Sequence, residues 1–234
     1  MQKQKIVVLT GAGISAESGI PTFRGGDGLW EGHDIMDVAS PIGWKKDRNL
    51  VLEFYNERRK VAKRAEPNKG HIVLAELEKH FDITIITQNV DNLHEKAGST
   101  NVVHLHGQLF ESRSTLDDTL IYPIKGDFLN EGDKCEKGSQ LRPNIVWFGE
   151  DVPLMQEAAE ITSEADYFII VGTSLQVYPA ANLIDYTPSN CKSFIIDPSI
   201  PSNSNISGIK TIKEKGSIGL PIIMDYLMKL DKNI

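Results

Sequence analysis

The chain has 234 residues with 25 Lys and Arg against 32 Asp and Glu, a net charge of −7 that argues against bulk electrostatic binding to nucleic acid or to an anionic membrane. Two cysteines, Cys135 and Cys191, supply neither a disulfide framework nor a four-thiolate metal site, so a reduced compartment is expected, the cytoplasm by default. At 40% hydrophobic the composition suits one large globular domain, and no apolar run approaches the roughly 18 to 20 residues of a membrane span.

The basic residues at 1–5 lead straight into an apolar strand, so no secretory signal is expected there. That strand, 6–9, opens a series of short β-branched runs at 83–86, 102–103, 145–147, 167–171 and 193–196. Being unbroken rather than alternating, these runs suit a parallel sheet covered on both faces. Helical patterns fall at about 49–64, at 71–81, at 153–165 with its proline near the start, and at 221–230. The alternation predicts an α/β fold with a Rossmann-like doubly wound parallel sheet. Two stretches interrupt it: a Gly-rich loop and helix at about 21–70, and a polar stretch at about 112–143 with Gly126, Gly132 and Gly138. The expected organisation is a single domain over 1–234. Its large part covers about 1–20, 71–111 and 144–234, with a helical insertion at 21–70 and a smaller inserted domain at 112–143.

Directly after the first strand, Gly11-Ala12-Gly13-Ile14-Ser15-Ala16 has the G-x-G-x-x-G/A form, whose glycines let backbone N–H groups approach a pyrophosphate. The plain alternative is a glycine turn; position after an apolar strand favours the dinucleotide. An ordinary dehydrogenase does not follow, because no second strand ending in a ribose-binding acid arrives about twenty residues on. Instead a loop shaped by Pro21 and several glycines carries Phe23, Arg24 and Trp30, read as a cover for the cofactor, with a hydrophobic plug as the alternative. Gln88, Asn89 and Asp91 follow a buried strand where α/β sheets place ligands, and can bond a carboxamide and a ribose. Asn89 and Asp91 can equally cap a helix starting near Val90. His104 and His106 point to one side of their strand, and the residues alone do not choose between them as a base. Tyr55 and Arg58 share a helix face and can clamp a carboxylate, although the run Arg58-Arg59-Lys60 also suits a solvated face.

Five blocks together resemble the sirtuin family of NAD-dependent protein lysine deacylases. They are GAGISAESGIPTFRGGDGLW at 11–30, TQNVDNLHEKAG at 87–98, HLHG at 104–107, VWFGE at 146–150 and GTSLQVYPAA at 172–181. They fall in the family's order, and the likeness covers nearly the whole chain. Within the family the pattern most resembles the bacterial and mitochondrial class III group, which prefers acidic acyl chains.

The resemblance implies NAD as co-substrate. From the glycine loop and its cover it carries over Gly11, Ala12, Gly13, Ala16, Glu17, Thr22, Phe23, Arg24 and Trp30. Further along it carries over Gln88, Asn89, Val90, Asp91 and His106, then Gly172, Thr173 and Ser174, then Asp197 and Ser217. Asn89 and Asp91 are assigned to the nicotinamide pocket, Gln88 to the ribose, and His106 as general base, an imidazole of ordinary pKa about 6.5 that accepts a proton near neutrality. Relatives usually carry asparagine where this chain has Asp197. Val146, Trp147, Phe148, Gly149 and Glu150 resemble the segment that pairs with substrate backbone as an added strand, unless Trp147 and Phe148 are core. Tyr55 and Arg58 match the acyl-carboxylate pair, and Ala39 the small residue that leaves room for it.

In the implied reaction the acyl-lysine carbonyl oxygen attacks the anomeric carbon of the nicotinamide ribose and expels nicotinamide. His106 then helps a ribose hydroxyl attack the imidate, leaving free lysine and O-acyl-ADP-ribose. Desuccinylase, demalonylase and deacetylase activities on acylated lysines of proteins are therefore expected, without nucleic-acid or membrane partners and with the oligomeric state open. An NAD hydrolase or ADP-ribosyltransferase using the same pocket is the alternative, and a non-catalytic NAD sensor a more distant one. Most sirtuins hold zinc with two C-x-x-C pairs, but here the first pair reads Ser114 and Asp117 and the second Cys135 and Gly138. One thiolate makes a poor tetrahedral site, so no zinc is expected.

Overall fold

The computed structural model describes residues 3–22, 30–173, 175, 177–200 and 208–231. The chain begins with β1 (Lys5–Thr10) and α1 (Ala12–Ala16), then builds α2 (Ile35–Val38), α3 (Pro41–Lys46), α4 (Arg48–Arg64) and α5 (Lys69–Leu77). There follow β2 (Asp82–Thr87), α6 (Leu93–Ala97), β3 (Val102–His104), β4 (Gly107–Ser114), β5 (Ile121–Pro123) and β6 (Leu141–Ile145). The last third supplies α7 (Met155–Thr162), β7 (Tyr167–Val171), a 3-10 helix (Ala180–Tyr186), β8 (Lys192–Ile196), β9 (Ile209–Ile212) and α8 (Gly216–Asp231).

Six strands in the order β3-β2-β1-β7-β8-β9 form a parallel sheet, as the unbroken apolar runs predict. Alternate residues of each run serve opposite faces. Ile6 and Val8 pack with Leu74 and Leu77 of α5 and Leu220 and Leu227 of α8, whereas Val7 and Leu9 pack with Ala158 of α7 and Leu183 of the 3-10 helix. Both faces are covered, so the central positions Ile6 to Leu9 of β1 and Tyr167 to Val171 of β7 are apolar at every step.

The run at 145–147 is not a strand of this sheet. β6 stops at Ile145 and belongs to a three-stranded antiparallel sheet in the order β5-β4-β6, drawn from residues 107–145. Ile145 and Trp147 are apolar because they enter a third core, with Val51, Phe54 and Tyr55 of α4 and Leu109 of β4. The last helix starts at Gly216 rather than near Pro221, so Pro221 sits inside it, and α7 is shorter than the pattern at 153–165. The edge strand β9 and the short helices α2 and α3 carry too little periodicity to be read; the caps Asp34 and Ser40, which accept from Met36 N and Gly43 N, set the starts of those two helices.

The Arg58-Arg59-Lys60 run is not a solvated face. Arg58 is 8% exposed and Arg59 fully buried. Arg59 Nε donates to the Leu109 carbonyl at 2.8 Å, and its Nη1 donates to Asn56 Oδ1 at 2.7 Å and to the Asp127 carbonyl at 3.0 Å. Burial lowers its pKa to about 10, and the guanidinium ties α4 to the small sheet and its loops.

Among the described residues no group of His, Cys, Asp or Glu could hold a metal ion, and no helix is long and apolar enough to cross a membrane. Hydrogen bonds join the four positions that the resemblance matches to zinc cysteines, Ser114, Asp117, Cys135 and Gly138. Ser114 Oγ accepts from Leu116 N, Asp117 N and Cys135 Sγ at 3.1, 3.3 and 3.3 Å. Asp117 pairs with Lys137 at 2.7 Å, and Gly138 N closes a turn on the Cys135 carbonyl at 2.9 Å. Replacing Ser114 by Ala leaves the buried Cys135 thiol and the part-buried N–H groups of Leu116 and Asp117 without their acceptor. A loss of about 1 to 3 kcal/mol is expected, measured as a lower urea midpoint at unchanged slope.

Candidate active site

The carboxyl ends of β1, β2, β7 and β8 open into one cavity of about 660 Å³, beside the point between β1 and β7 where the strand order reverses. Two loops meet at its floor. Gly11 N donates to the Val171 carbonyl at 3.0 Å and Gly13 N to the Gly172 carbonyl at 2.8 Å. A Cβ at Gly13 would stand 2.7 Å from Gly172 Cα, and Gly172 adopts φ +62°. These glycines therefore answer first to backbone-on-backbone packing.

Gly11, Ala12, Gly13, Ala16, Glu17, Thr22 and Trp30 line one side of the cavity, and Gln88, Asn89, Val90, Asp91 and His106 the back. Gly172, Thr173 and Asp197 line the far end; Ala39, Tyr55, Arg58 and the segment from Val146 through Trp147, Phe148 and Gly149 to Glu150 line the near end. Phe23, Arg24 and Ser174 lie outside the described residues. Ser217 is not part of the lining. Its N and Oγ donate to the Glu17 carboxylate at 3.3 and 2.8 Å, tying α8 to the end of α1.

The loop after β2 is tied to the glycine turn through Ser15, which the sequence reading did not single out. Asn89 Nδ2 donates to the Gly11 carbonyl at 3.1 Å and to Ser15 Oγ at 3.2 Å, and Ser15 Oγ donates to Asp91 Oδ2 at 2.9 Å. Asp91 Oδ1 accepts from Leu93 N at 3.1 Å, where α6 begins, three residues later than Val90. Asp91 thus fills a capping role in part, whereas Asn89 does not. Burial pushes the Asp91 carboxyl up, opposed by its bonds from Leu93 and Ser15. Gln88 Nε2 reaches Thr173 Oγ1 at 3.3 Å and spans the glycine turn.

The structure separates the two histidines. His104 spends both ring nitrogens, Nδ1 on the Asn89 carbonyl at 3.1 Å and Nε2 on Glu95 at 2.7 Å. Burial disfavours its charge, but the Glu95 hydrogen bond and carboxylate, with the Asn89 carbonyl, raise its pKa on balance. His106 Nδ1 bonds the Gln88 carbonyl at 3.1 Å, and the ring lines the cavity. Burial lowers the His106 pKa, so the imidazole is neutral near pH 7, with its proton on Nδ1 and its lone pair on Nε2.

At the near end Tyr55 is fully buried and its hydroxyl accepts from Trp147 Nε1 at 3.0 Å, leaving the O–H proton to donate. Arg58 lies over the Trp30 ring at 4.2 Å. Among the described residues its buried Nε and Nη1 have no hydrogen-bond partner, although Glu31 approaches Nη1 at 3.4 Å as an ion pair. Trp147 is core and Phe148 is 40% exposed at the rim. The segment is already bonded within the protein. Val146 N donates to the His106 carbonyl, Phe148 N to the Ala39 carbonyl and Trp147 N to Glu150, while Glu150 also pairs with Arg142 and Arg113.

Comparison with known proteins decides the family: the Sir2 family pattern matches residues 11–179, most of the chain. The chain belongs to the Sir2 family. An NAD-dependent protein deacylase of Helicobacter pylori is 51% identical to this Sir2 enzyme over 97% of this chain and 99% of its own. Another from Bacteroides thetaiotaomicron is 46% identical over 96% of this chain and 98% of its own. A solved Sir2 homologue in complex with NAD superposes with TM-score 0.87 at 38% identity, covering 98% of this chain and 91% of that one. A solved Sir2 variant with a deacetylated p53 peptide and 3'-O-acetyl ADP-ribose superposes with TM-score 0.80 at 32% identity, covering 96% and 94%.

In this enzyme the raised His104 pKa makes a pH signature. The charged pair with Glu95 contributes its full stability below the unfolded value of about 6.5 and loses it as pH rises through the folded value. The melting temperature of wild type over His104→Gln should therefore show its largest gap near pH 6 and a smaller one at pH 8.5. A gap that widens with pH would contradict the charged assignment.

Proposed function

We propose that this enzyme removes succinyl and malonyl as well as acetyl groups from protein lysines, passing the acyl group to ADP-ribose with release of nicotinamide. NAD-dependent protein deacylation itself follows from family membership. The acidic acyl range rests on one observation: beside the Tyr55 hydroxyl, Arg58 presents buried Nε and Nη1 donors with no hydrogen-bond partner among the described residues. A buried guanidinium in that condition fits a ligand carboxylate, which it can take bidentately. Ala39, 2% exposed in the same wall, leaves the space an acyl chain needs.

The donor set also fits NAD. The backbone turn at Gly11, Ala12 and Gly13, with Thr173 and Asp197, would hold its diphosphate and adenosine part, and Gln88, Asn89 and Asp91 its nicotinamide ribose. NAD supplies, when bound, an anomeric carbon carrying a good leaving group and an ADP-ribose acceptor for the acyl group. His106 Nε2 takes the proton of a ribose hydroxyl, and the Gln88 carbonyl on Nδ1 keeps the ring in the required tautomer. Tyr55 and Arg58 orient the acyl carboxylate. The segment 146–150, with Phe148 exposed at the rim, receives the peptide. We read the small sheet as zinc-free, its Ser114, Asp117 and Cys135 contacts standing where relatives have metal ligands.

Nicotinamide release from NAD should require an acyl-lysine peptide and vanish in His106→Ala; release without peptide would indicate an NAD hydrolase. Arg58→Met should lower kcat/KM for succinyl-lysine peptide about ten- to a hundred-fold relative to the acetyl-lysine peptide, the scale of one charge-assisted hydrogen-bonded contact. An equal fall for both peptides would overturn the clamp. Near-stoichiometric zinc in protein purified without added metal would overturn the zinc-free reading.

A further inference from the structure

Trp30 and His33 exchange backbone hydrogen bonds, Trp30 N to the His33 carbonyl at 2.9 Å and His33 N to the Trp30 carbonyl at 3.1 Å, which closes a two-residue turn over Glu31 and Gly32. Both central residues have positive φ, 50° at Glu31 and 82° at Gly32. The turn demands this of its central positions, which glycine, asparagine and aspartate fill most easily. Glutamate is an unfavoured occupant there, so its side chain calls for a reason. The structure supplies one. Trp30, 8% exposed, packs edge-on against Phe54 with ring centroids 5.0 Å apart and lies under the Arg58 guanidinium. Anchored in this way, the turn holds the Glu31 carboxylate in the cavity lining, 3.4 Å from Arg58 Nη1.

We propose that Glu31 is a specificity-determining residue of the acyl pocket, an internal carboxylate that balances Arg58 while the acyl chain is neutral and competes with the carboxylate of an acidic one. The inference rests on the reading of Arg58 as the acyl clamp. With a neutral acyl chain in place, Arg58 would otherwise be a buried charge with no ion-pair partner among the described residues, which is costly. Glu31 supplies that counter-ion at ion-pair distance, 3.4 Å from Nη1, while Nε has no partner among the described residues, which leaves donor capacity for a second carboxylate. When an acidic chain enters, two carboxylates meet at one guanidinium and repel, so Glu31 has to withdraw. The side chain has room to do so, being about one third exposed at 32%. Glu31 thus narrows the difference between acidic and neutral acyl chains and lets one pocket serve both.

The test is the ratio of kcat/KM for succinyl- over acetyl-lysine forms of one peptide. Glu31→Gln, isosteric and uncharged, should raise this ratio about three- to fivefold, the scale of one partly exposed ion pair, with the change carried in KM for the succinyl peptide. Glu31→Asp, which keeps the charge but holds it one methylene farther from Arg58, should raise it less. A folding defect would lower both activities and leave the ratio in place. If Arg58→Met lowers the ratio while Glu31→Gln leaves it unchanged or lowers it, the Glu31 proposal fails and the clamp stands. If Arg58→Met leaves the ratio unchanged, the clamp itself fails.

Discussion

The close approach of the loops after β1 and β7 is the constraint on which the site depends. With Gly13 and Gly172 in backbone contact, the carboxyl ends of the two central strands are brought together with no side chain between them. Helices on opposite faces of the sheet diverge from this seam, and the cavity is the crevice that they leave. From the seam the order spreads outward by hydrogen bonds. The Gly11 carbonyl holds Asn89, Asn89 holds Ser15, and Ser15 holds Asp91. A side chain at either glycine would push apart the loops from which this chain of contacts starts.

Burial of charge is the second organising influence, and the protein answers it differently at each position. Arg59 is compensated at Nε and Nη1 by carbonyls and an amide, its Nη2 having no partner among the described residues, and serves as a pillar between α4 and the small sheet. His104 is compensated by Glu95 and the Asn89 carbonyl, so it steadies the loop that lines the cavity. Arg58 is compensated only in part. A partly compensated buried cation on a cavity wall supports the binding role proposed for Arg58, because the desolvation it has already undergone is no longer a cost to a ligand.

The small sheet is held by hydrogen bonds and ion pairs of its own side chains. Strands β4 and β6 are joined by a long polar stretch that contains the short strand β5. In this chain Ser114, Asp117, Cys135 and Lys137 hold it by hydrogen bonds and an ion pair, while Arg59 and Asn56 of α4 hold the stretch around Asp127 and Leu129 from beneath.

Much of the fold and part of the site were legible in the chain itself. The parallel sheet could be read because strands buried on both faces must be apolar at consecutive positions, and the glycine turn because few other residues tolerate such close backbone packing. The position of Gln88, Asn89 and Asp91 after a buried strand was legible for the same reason. Local pattern could not say which partners those residues meet. The run at 145–147 looks like a sheet strand, yet it serves a different core, since an apolar residue does not record which apolar surface will cover it. Ser15 and Glu31 became visible only when residues 76 positions and 27 positions away, Asp91 and Arg58, came within bonding distance. His104 and His106 share a residue type and almost a position. Only the folded chain, by giving one a carboxylate partner and the other a cavity, determined which has its charged form favoured and which offers a lone pair.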